Sequence, residues 1–112
     1  MVVKIKDLPI DERPYEKLIN NGPDKVSNDE LLAILLKTGT KKYSAKEISN
    51  ILLSEINNIG ELANINYIFL TNIEGIGIKK SCVLLAAIEL GKRIYNYTNG
   101  IVNKKLNSNL KA

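Results

Sequence analysis

Gly75, Ile76 and Gly77 constrain this chain more than any other three neighbouring residues. Two glycines bracketing one apolar residue permit a sharp chain reversal, because glycine takes positive φ without a Cβ penalty. The stretch 70–81 therefore reads as the end of one helix, a hairpin, and the start of another. Leu70 and Ile73, three apart, fall on one face of the first helix. The glycines present no side chains, so the backbone N–H groups of the hairpin stay open to a bulky partner. The helix that follows has further N–H groups with no acceptor inside it. Open amides at the positive end of a helix dipole suit a phosphate oxygen, and Lys79 and Lys80 add charge there. Helix, Gly-apolar-Gly and helix is the helix-hairpin-helix pattern, which grips nucleic-acid backbone without reading bases. The same residues also fit a plain turn, with Gly75 as a helix cap, Ile76 as a core plug and the lysines on a solvated edge.

Several function classes are excluded by what the chain lacks. It has no histidine and one cysteine, Cys82. A zinc site of the usual ligands cannot be assembled within one such chain, nor can a Ser-His-Asp or Cys-His catalytic set. No enzyme activity, metal or cofactor is expected. At 112 residues the chain suits one domain with a modest core. With no Trp and one Phe, that core is expected to be Leu, Ile and Ala. No apolar run is long enough to span a bilayer, and residues 1–7 lack the apolar stretch of a secretory signal. The expected compartment is the cytoplasm, with no membrane partner and no small-molecule substrate. Cys82, in an apolar helical run, reads as a small core residue.

In chain order, residues 1–9 read as extended or partly ordered, with Leu8 as an anchor. A first helix is expected from Pro14, with Tyr15, Leu18 and Ile19 on its buried face, and Gly22-Pro23 as its stop. Ser27 and Glu30 make a capping box, and Val26 with Leu31 a hydrophobic staple, for a deeply buried second helix over about residues 28–37. Thr38-Gly39-Thr40 ends it. Ser44 and Glu47, with Tyr43 and Ile48, repeat that logic for a third helix over about residues 45–57. Ile48, Ile51, Leu52 and Ile56 form its apolar stripe. A single turn over residues 61–64 and a short fourth helix over residues 67–73, capped by Asn66, come next.

The fifth helix is expected from Ile78 to about Tyr95. Its wholly apolar run, residues 82–88, marks it as the central helix. Small Ala86, Ala87 and Gly91 would admit close neighbours, and Lys92 and Arg93 would complement the dipole at its C-terminus. Residues 96–112 hold five Asn and three Lys with no clear period, and read as a flexible basic tail or linker to an absent second domain. The expected architecture is an all-α, compact five-helix domain over residues 1–95, with that tail over 96–112.

The net charge of +4 is unevenly placed. Residues 1–36 carry −2, residues 37–46 carry +4, residues 47–78 carry −4, residues 79–95 carry +3, and the tail carries +3. The two basic blocks of the body each straddle a turn between helices. The first, through Lys37, Thr38, Gly39, Thr40, Lys41 and Lys42, joins the second and third helices like a degenerate copy of the Gly75–Gly77 unit with a longer loop. Two such units packed about a pseudo-twofold axis would bring both basic turns to one side.

Read together, Ile5-Lys6-Asp7-Leu8-Pro9, Arg13-Pro14, Glu16-Lys17-Leu18, Gly22-Pro23, Ser27, the run from Asp29 to Leu36, Thr38-Gly39-Thr40, Ser44-Ala45, Gly75-Ile76-Gly77 with Lys80, Ala86-Ala87, Glu89-Leu90-Gly91 and Arg93 give the chain a recognisable form. It resembles the N-terminal domain of the RadC family, bacterial proteins described as DNA repair proteins. The likeness runs from about Val3 to Arg93. Ser81 departs from it, the family usually having Ala there. So do the Asn- and Ile-rich residues 64–72, and Lys41-Lys42-Tyr43 is not the commonest loop. RadC-like proteins normally carry a second domain resembling the JAB/MPN metalloprotease fold, whose metal site uses a His-x-His and an Asp. A chain without histidine has nothing to match it, so the resemblance implies the helical module alone.

Two functions are expected to compete. In the first, the chain is a non-sequence-specific DNA-binding module. The amides of Gly75, Ile76, Gly77 and Ile78 would hold a phosphate, Lys79 and Lys80 would add charge, and the Lys37–Lys46 block would reach the adjoining strand. Glu74 would then have to face away. Related hairpins sometimes hold a monovalent cation on loop carbonyls. In the second, the chain is a protein-interaction or scaffolding domain that positions a separate catalytic domain.

Overall fold

The computed structural model describes residues 13–111, with side-chain environments from Arg13 to Gly100. The expectations for residues 1–9, including the Leu8 anchor, lie outside the described residues. Five α-helices are present: α1 (Pro14–Asn21), α2 (Asn28–Leu36), α3 (Ala45–Ser54), α4 (Tyr67–Thr71) and α5 (Ile78–Lys111). Short 3-10 turns at Pro23–Lys25 and Ile59–Asn64 complete the described structure, which contains no strand. The all-α, five-helix architecture is thus the one expected.

Local chemistry places most of these helices. Pro14 opens α1, where its fixed φ suits the first turn and its missing N–H costs nothing. Gly22, at φ +90°, closes it, its amide bonding to Leu18. The capping box of α2 forms: the Ser27 amide donates to Glu30 at 3.2 Å and the Ser27 hydroxyl donates to Glu30 at 2.7 Å. That of α3 forms reciprocally, Glu47 N–H to Ser44 Oγ at 3.1 Å and Ser44 N–H to Glu47 at 3.2 Å. Asn66 caps α4 by accepting from the Phe69 amide at 2.8 Å.

The core lies where α2 and α3 meet the start of α5 and the end of α4. Leu32, Ala33, Leu36, Ala45, Ile48, Leu52, Leu70, Ile73, Ile76 and Leu84 are its buried members. Glu30 is also buried and ties α1 to this body, since Lys17 Nζ lies 3.0 Å from its carboxylate. Burial pushes the Glu30 carboxyl up, but the Ser27 hydroxyl, the Lys17 ammonium and the Ser27 amide outweigh it and bring its pKa down to about 2.

Several expectations are corrected. Helix α3 ends at Ser54 and α4 at Thr71, each short of the boundary expected. Leu31 is exposed, and Ile34 and Leu35 are only half-buried, so α2 is not buried all round. The largest difference is α5, which runs on to Lys111 where an end near Tyr95 was expected. Asparagine and lysine lower helix propensity only slightly on an exposed surface, and the segment holds no proline to stop it. Lys92 and Arg93 are therefore mid-helix, and Arg93 pairs with Glu89 at 2.9 Å. Nor is α5 wrapped by its neighbours. Ser81 and Leu84 are its fully buried residues among those described, whereas Cys82, Val83 and Leu90 are exposed. An apolar run fixes that a helix can be buried, while its place at the edge of the bundle decides which face is.

Candidate nucleic-acid interface

The α4–α5 connection is a reverse turn in which the Ile76 amide bonds to the Ile73 carbonyl at 3.0 Å. Gly75 sits third in that turn at φ +94°, a position that favours glycine. A Cβ there would also lie 2.6 Å from Ile48 Cδ1. Gly75 is thus held by conformation and by contact with α3. Ile73 and Ile76 on either side are buried and anchor the turn in the core. Gly77 differs: among the described residues nothing lies within 4 Å of where its Cβ would be. The space over it is open, so the fold itself does not demand glycine there.

Helix α5 starts immediately after. Its first backbone bond runs from the Ser81 amide to the Gly77 carbonyl at 3.0 Å. The amides of Ile78, Lys79 and Lys80 consequently lie in the first turn, with no carbonyl ahead of them in the helix. Ile78 and Lys79 are exposed beside these amides.

The α2–α3 connection is built differently. Lys37 caps α2 with φ 67° and ψ −60°, and the Thr38 amide bonds back to the Leu36 carbonyl at 2.8 Å. This is a γ-turn of the strained, positive-φ kind. Thr40 then folds the tip: its hydroxyl accepts from the amides of Lys42 and Tyr43 at 3.2 and 3.1 Å, and its own amide donates to the Tyr43 carbonyl at 2.7 Å. Gly39 is needed because a Cβ would run into the backbone of Tyr43 and Ser44.

Three contacts join the two connections. Lys80 Nζ donates to the Thr38 carbonyl at 2.6 Å, across 42 residues of sequence. Lys42 Nζ lies 3.6 Å from Glu74 Oε1. Gly75 packs on Ile48, and its Cβ position is 3.5 Å from Thr40 Cγ2. Both basic turns are therefore on one side of the molecule, as their placement in the sequence suggests. Lys42 also sits over the Tyr43 ring, 5.3 Å from its centroid. The Glu74 carboxylate first, and then Tyr43, raise the Lys42 pKa, so Lys42 stays charged while Glu74 offsets it.

The twelve expected site residues divide accordingly. Lys37, Thr38, Thr40, Lys41, Lys42, Gly77, Ile78 and Lys79 are exposed on or beside the two turns, with Gly39 and Gly75 half-buried among them. The Ile76 side chain is in the core, 3% exposed, and its amide is taken up by the Ile73 carbonyl at 3.0 Å, so Ile76 does not hold a phosphate as expected. Lys80 is half-buried and engaged with Thr38. Lys37, Lys41 and Lys79 have no ion pair among the described residues, and they are the cations best placed to meet an anion. The bond from Lys80 and the γ-turn at Lys37 have no local sequence signature. The Lys42–Glu74 pair is foreshadowed by the abutting blocks of opposite charge.

No group of His, Cys, Asp and Glu that could hold a metal ion occurs among the described residues. No helix there is long and apolar enough to cross a membrane.

Residues 5–82 match the protein-family model described as UPF0758 N-terminal. A UPF0758 protein of Alkaliphilus metalliredigens is 50% identical over 94 residues, which cover 83% of this chain and 40% of that protein. One from Bacillus licheniformis is 47% identical over 94 residues, covering 84% and 42%. One from Clostridium botulinum is 44% identical over 97 residues, covering 87% and 42%. The chain spans about two-fifths of the length of these relatives. No solved structure matches it.

Proposed function

The chain belongs to the UPF0758 family, and from that premise we propose that it is a DNA-binding module that grips phosphate backbone without sequence preference. The reading includes the helix-hairpin-helix role of residues 70–81 and the DNA-repair context implied by the RadC-like resemblance. The observation that carries it is the joining of two basic turns, one of which presents the open first-turn amides of α5 beneath the unobstructed space over Gly77. A phosphate oxygen at the N-terminus of α5 would accept from the Ile78 and Lys79 amides. Lys79 would stand beside it, and Lys37 and Lys41 would meet the neighbouring strand. Lys80 holds the two turns at fixed spacing by its bond to Thr38, so its role is to position them. Few side chains here suit base edges, so binding is non-specific and falls with salt.

The test is fluorescence anisotropy of a labelled duplex and a branched DNA at two salt concentrations. Gly77→Ala fills only open space and should leave the melting temperature unchanged, while Gly77→Asp adds a like charge at the phosphate position. The expected result is salt-sensitive binding, weakened by Gly77→Ala, lost with Gly77→Asp and reduced by Lys79→Ala. Binding indifferent to both Gly77 changes would refute the phosphate site. The competing reading, a protein-interaction module, is favoured by the exposed apolar face of α5. It requires that Gly77→Asp leave partner binding intact.

A further inference from the structure

The phosphate site makes no use of Glu74, yet this carboxylate stands at its edge. Glu74 immediately precedes Gly75, the residue that turns the chain toward α5. A carboxylate there suits a bound phosphate best if it faces away, and it does not. It reaches across to the other basic turn, 3.6 Å from Lys42 Nζ. The two polar contacts that join the turns differ in kind. Lys80 is half-buried and donates to the Thr38 carbonyl at 2.6 Å, a short bond to a fixed backbone group. The Lys42 and Glu74 side chains are 66 and 61% exposed, and 3.6 Å is too long for a good hydrogen bond, so charge is what mainly holds them. Such a pair stands in water, where salt screens it and another anion can compete for the lysine. Lys42 does not need Glu74 to keep its place. Its amide donates to the Thr40 hydroxyl at 3.2 Å, and its ammonium lies 5.3 Å from the centroid of the Tyr43 ring.

We propose that Glu74 occupies on Lys42, in the free protein, the place that a backbone phosphate takes when DNA binds, and thereby sets the affinity of the site. This rests on the DNA-binding reading above and adds Lys42 to its contacts. The exchange leaves the turns in place, since Lys80 keeps them joined while Glu74 lets go. It also changes the ion count. A lysine that meets phosphate from a free state releases a condensed counterion. A lysine handed over by a carboxylate releases that counterion too, but the freed carboxylate draws a cation back. The parent therefore gains less from Lys42 than the lysine's charge would give, and its affinity depends less steeply on salt. A carboxylate that merely repelled DNA would behave differently. Lys42 would then mask it, so removing Glu74 would matter most when Lys42 is gone. In the exchange, removing Glu74 matters most when Lys42 is present, because Lys42 is what is set free.

The test is anisotropy of a labelled duplex with the full chain, over a range of salt, for Glu74→Gln, Lys42→Ala and the double variant. All three alter exposed groups and should melt with the parent. Glu74→Gln is expected to bind about two- to fivefold tighter at low salt, with a salt slope steeper by about one. In the Lys42→Ala background the same change is expected to gain less. No tightening with Glu74→Gln would overturn the proposal, as would a gain that is equal or larger without Lys42. Gly77→Asp, made in the Glu74→Gln background, keeps this failure apart from that of the site itself. Loss of binding there upholds the phosphate site and leaves the Lys42 comparison to decide the role of Glu74. Binding that Gly77→Asp leaves intact would refute the phosphate site, and the exchange with it.

Discussion

Two buried polar side chains are treated oppositely by the fold. Glu30 is surrounded by donors, from the Ser27 hydroxyl and amide to the Lys17 ammonium, and its pKa falls from 4.5 to about 2. A carboxylate with a depressed folded-state pKa contributes stability that is fully present above about pH 4.5 and is lost as pH falls toward 2. The shift corresponds to about 3 kcal/mol at neutral pH. Urea unfolding of Glu30→Gln should therefore show a large deficit against the parent at pH 7 that narrows steadily below pH 4. A deficit that stays constant with pH would show that packing, not charge, is what Glu30 supplies. Ser81 is the contrary case. It is fully buried on the core face of α5, and its hydroxyl has no hydrogen-bond partner among the described residues. Ser81→Ala removes an unsatisfied group and improves helix propensity, so it should raise stability by about 1 kcal/mol. A drop in the urea midpoint would mean that the hydroxyl is satisfied in solution.

At the scale of elements, the joined turns matter more than either alone. Gly75 is where conformation and packing coincide, so Gly75→Ala should destabilise by about 1–3 kcal/mol, whereas Gly77→Ala should cost nothing measurable. Thermal melts of the two variants side by side check this, and equal losses would contradict the open space over Gly77. The elements themselves were largely legible, because the cues are local. Ser27 with Glu30, Ser44 with Glu47, and Asn66 before Phe69 act within three residues, and all form. What was not legible depends on distant groups. Lys80 reads as a phosphate-facing lysine until the Thr38 carbonyl, 42 residues earlier, is found at its Nζ. Cys82 and Val83 read as core because they lie in an apolar run, yet that run is covered on one side only. The end of α5 is not legible because the usual stop signals are weak there: Gly100 does not end the helix, and no proline intervenes.

The whole molecule is an asymmetric object, a small helical body with one helix reaching beyond it. Its Cα radius of gyration is 17.2 Å, against about 13 Å for a compact chain of about 100 residues. At 1.5 Å per residue, α5 is about 50 Å long, comparable to the longest dimension of the molecule, 63 Å. Since residues 89–100 bury nothing against the body, ending the chain after Tyr95 should remove helix without removing core. The truncated chain is therefore expected to melt at the same temperature as the parent, to keep the DNA affinity proposed for the paired turns, and to scatter X-rays as a rounder particle with a smaller radius of gyration. The measurement is best made in the Leu90→Asp, Ile94→Asp background, so that any association through α5 does not mask the change in shape. A truncated chain that loses affinity while keeping its melting temperature would place the DNA contact on residues 96–112, which carry +3, and away from Gly77. One that loses both would show that the projecting half of α5 supports the body through contacts its exposure does not suggest. Unchanged melting and affinity with a smaller particle would separate the molecule into a body that holds the two basic turns and a helix that projects from it without supporting either.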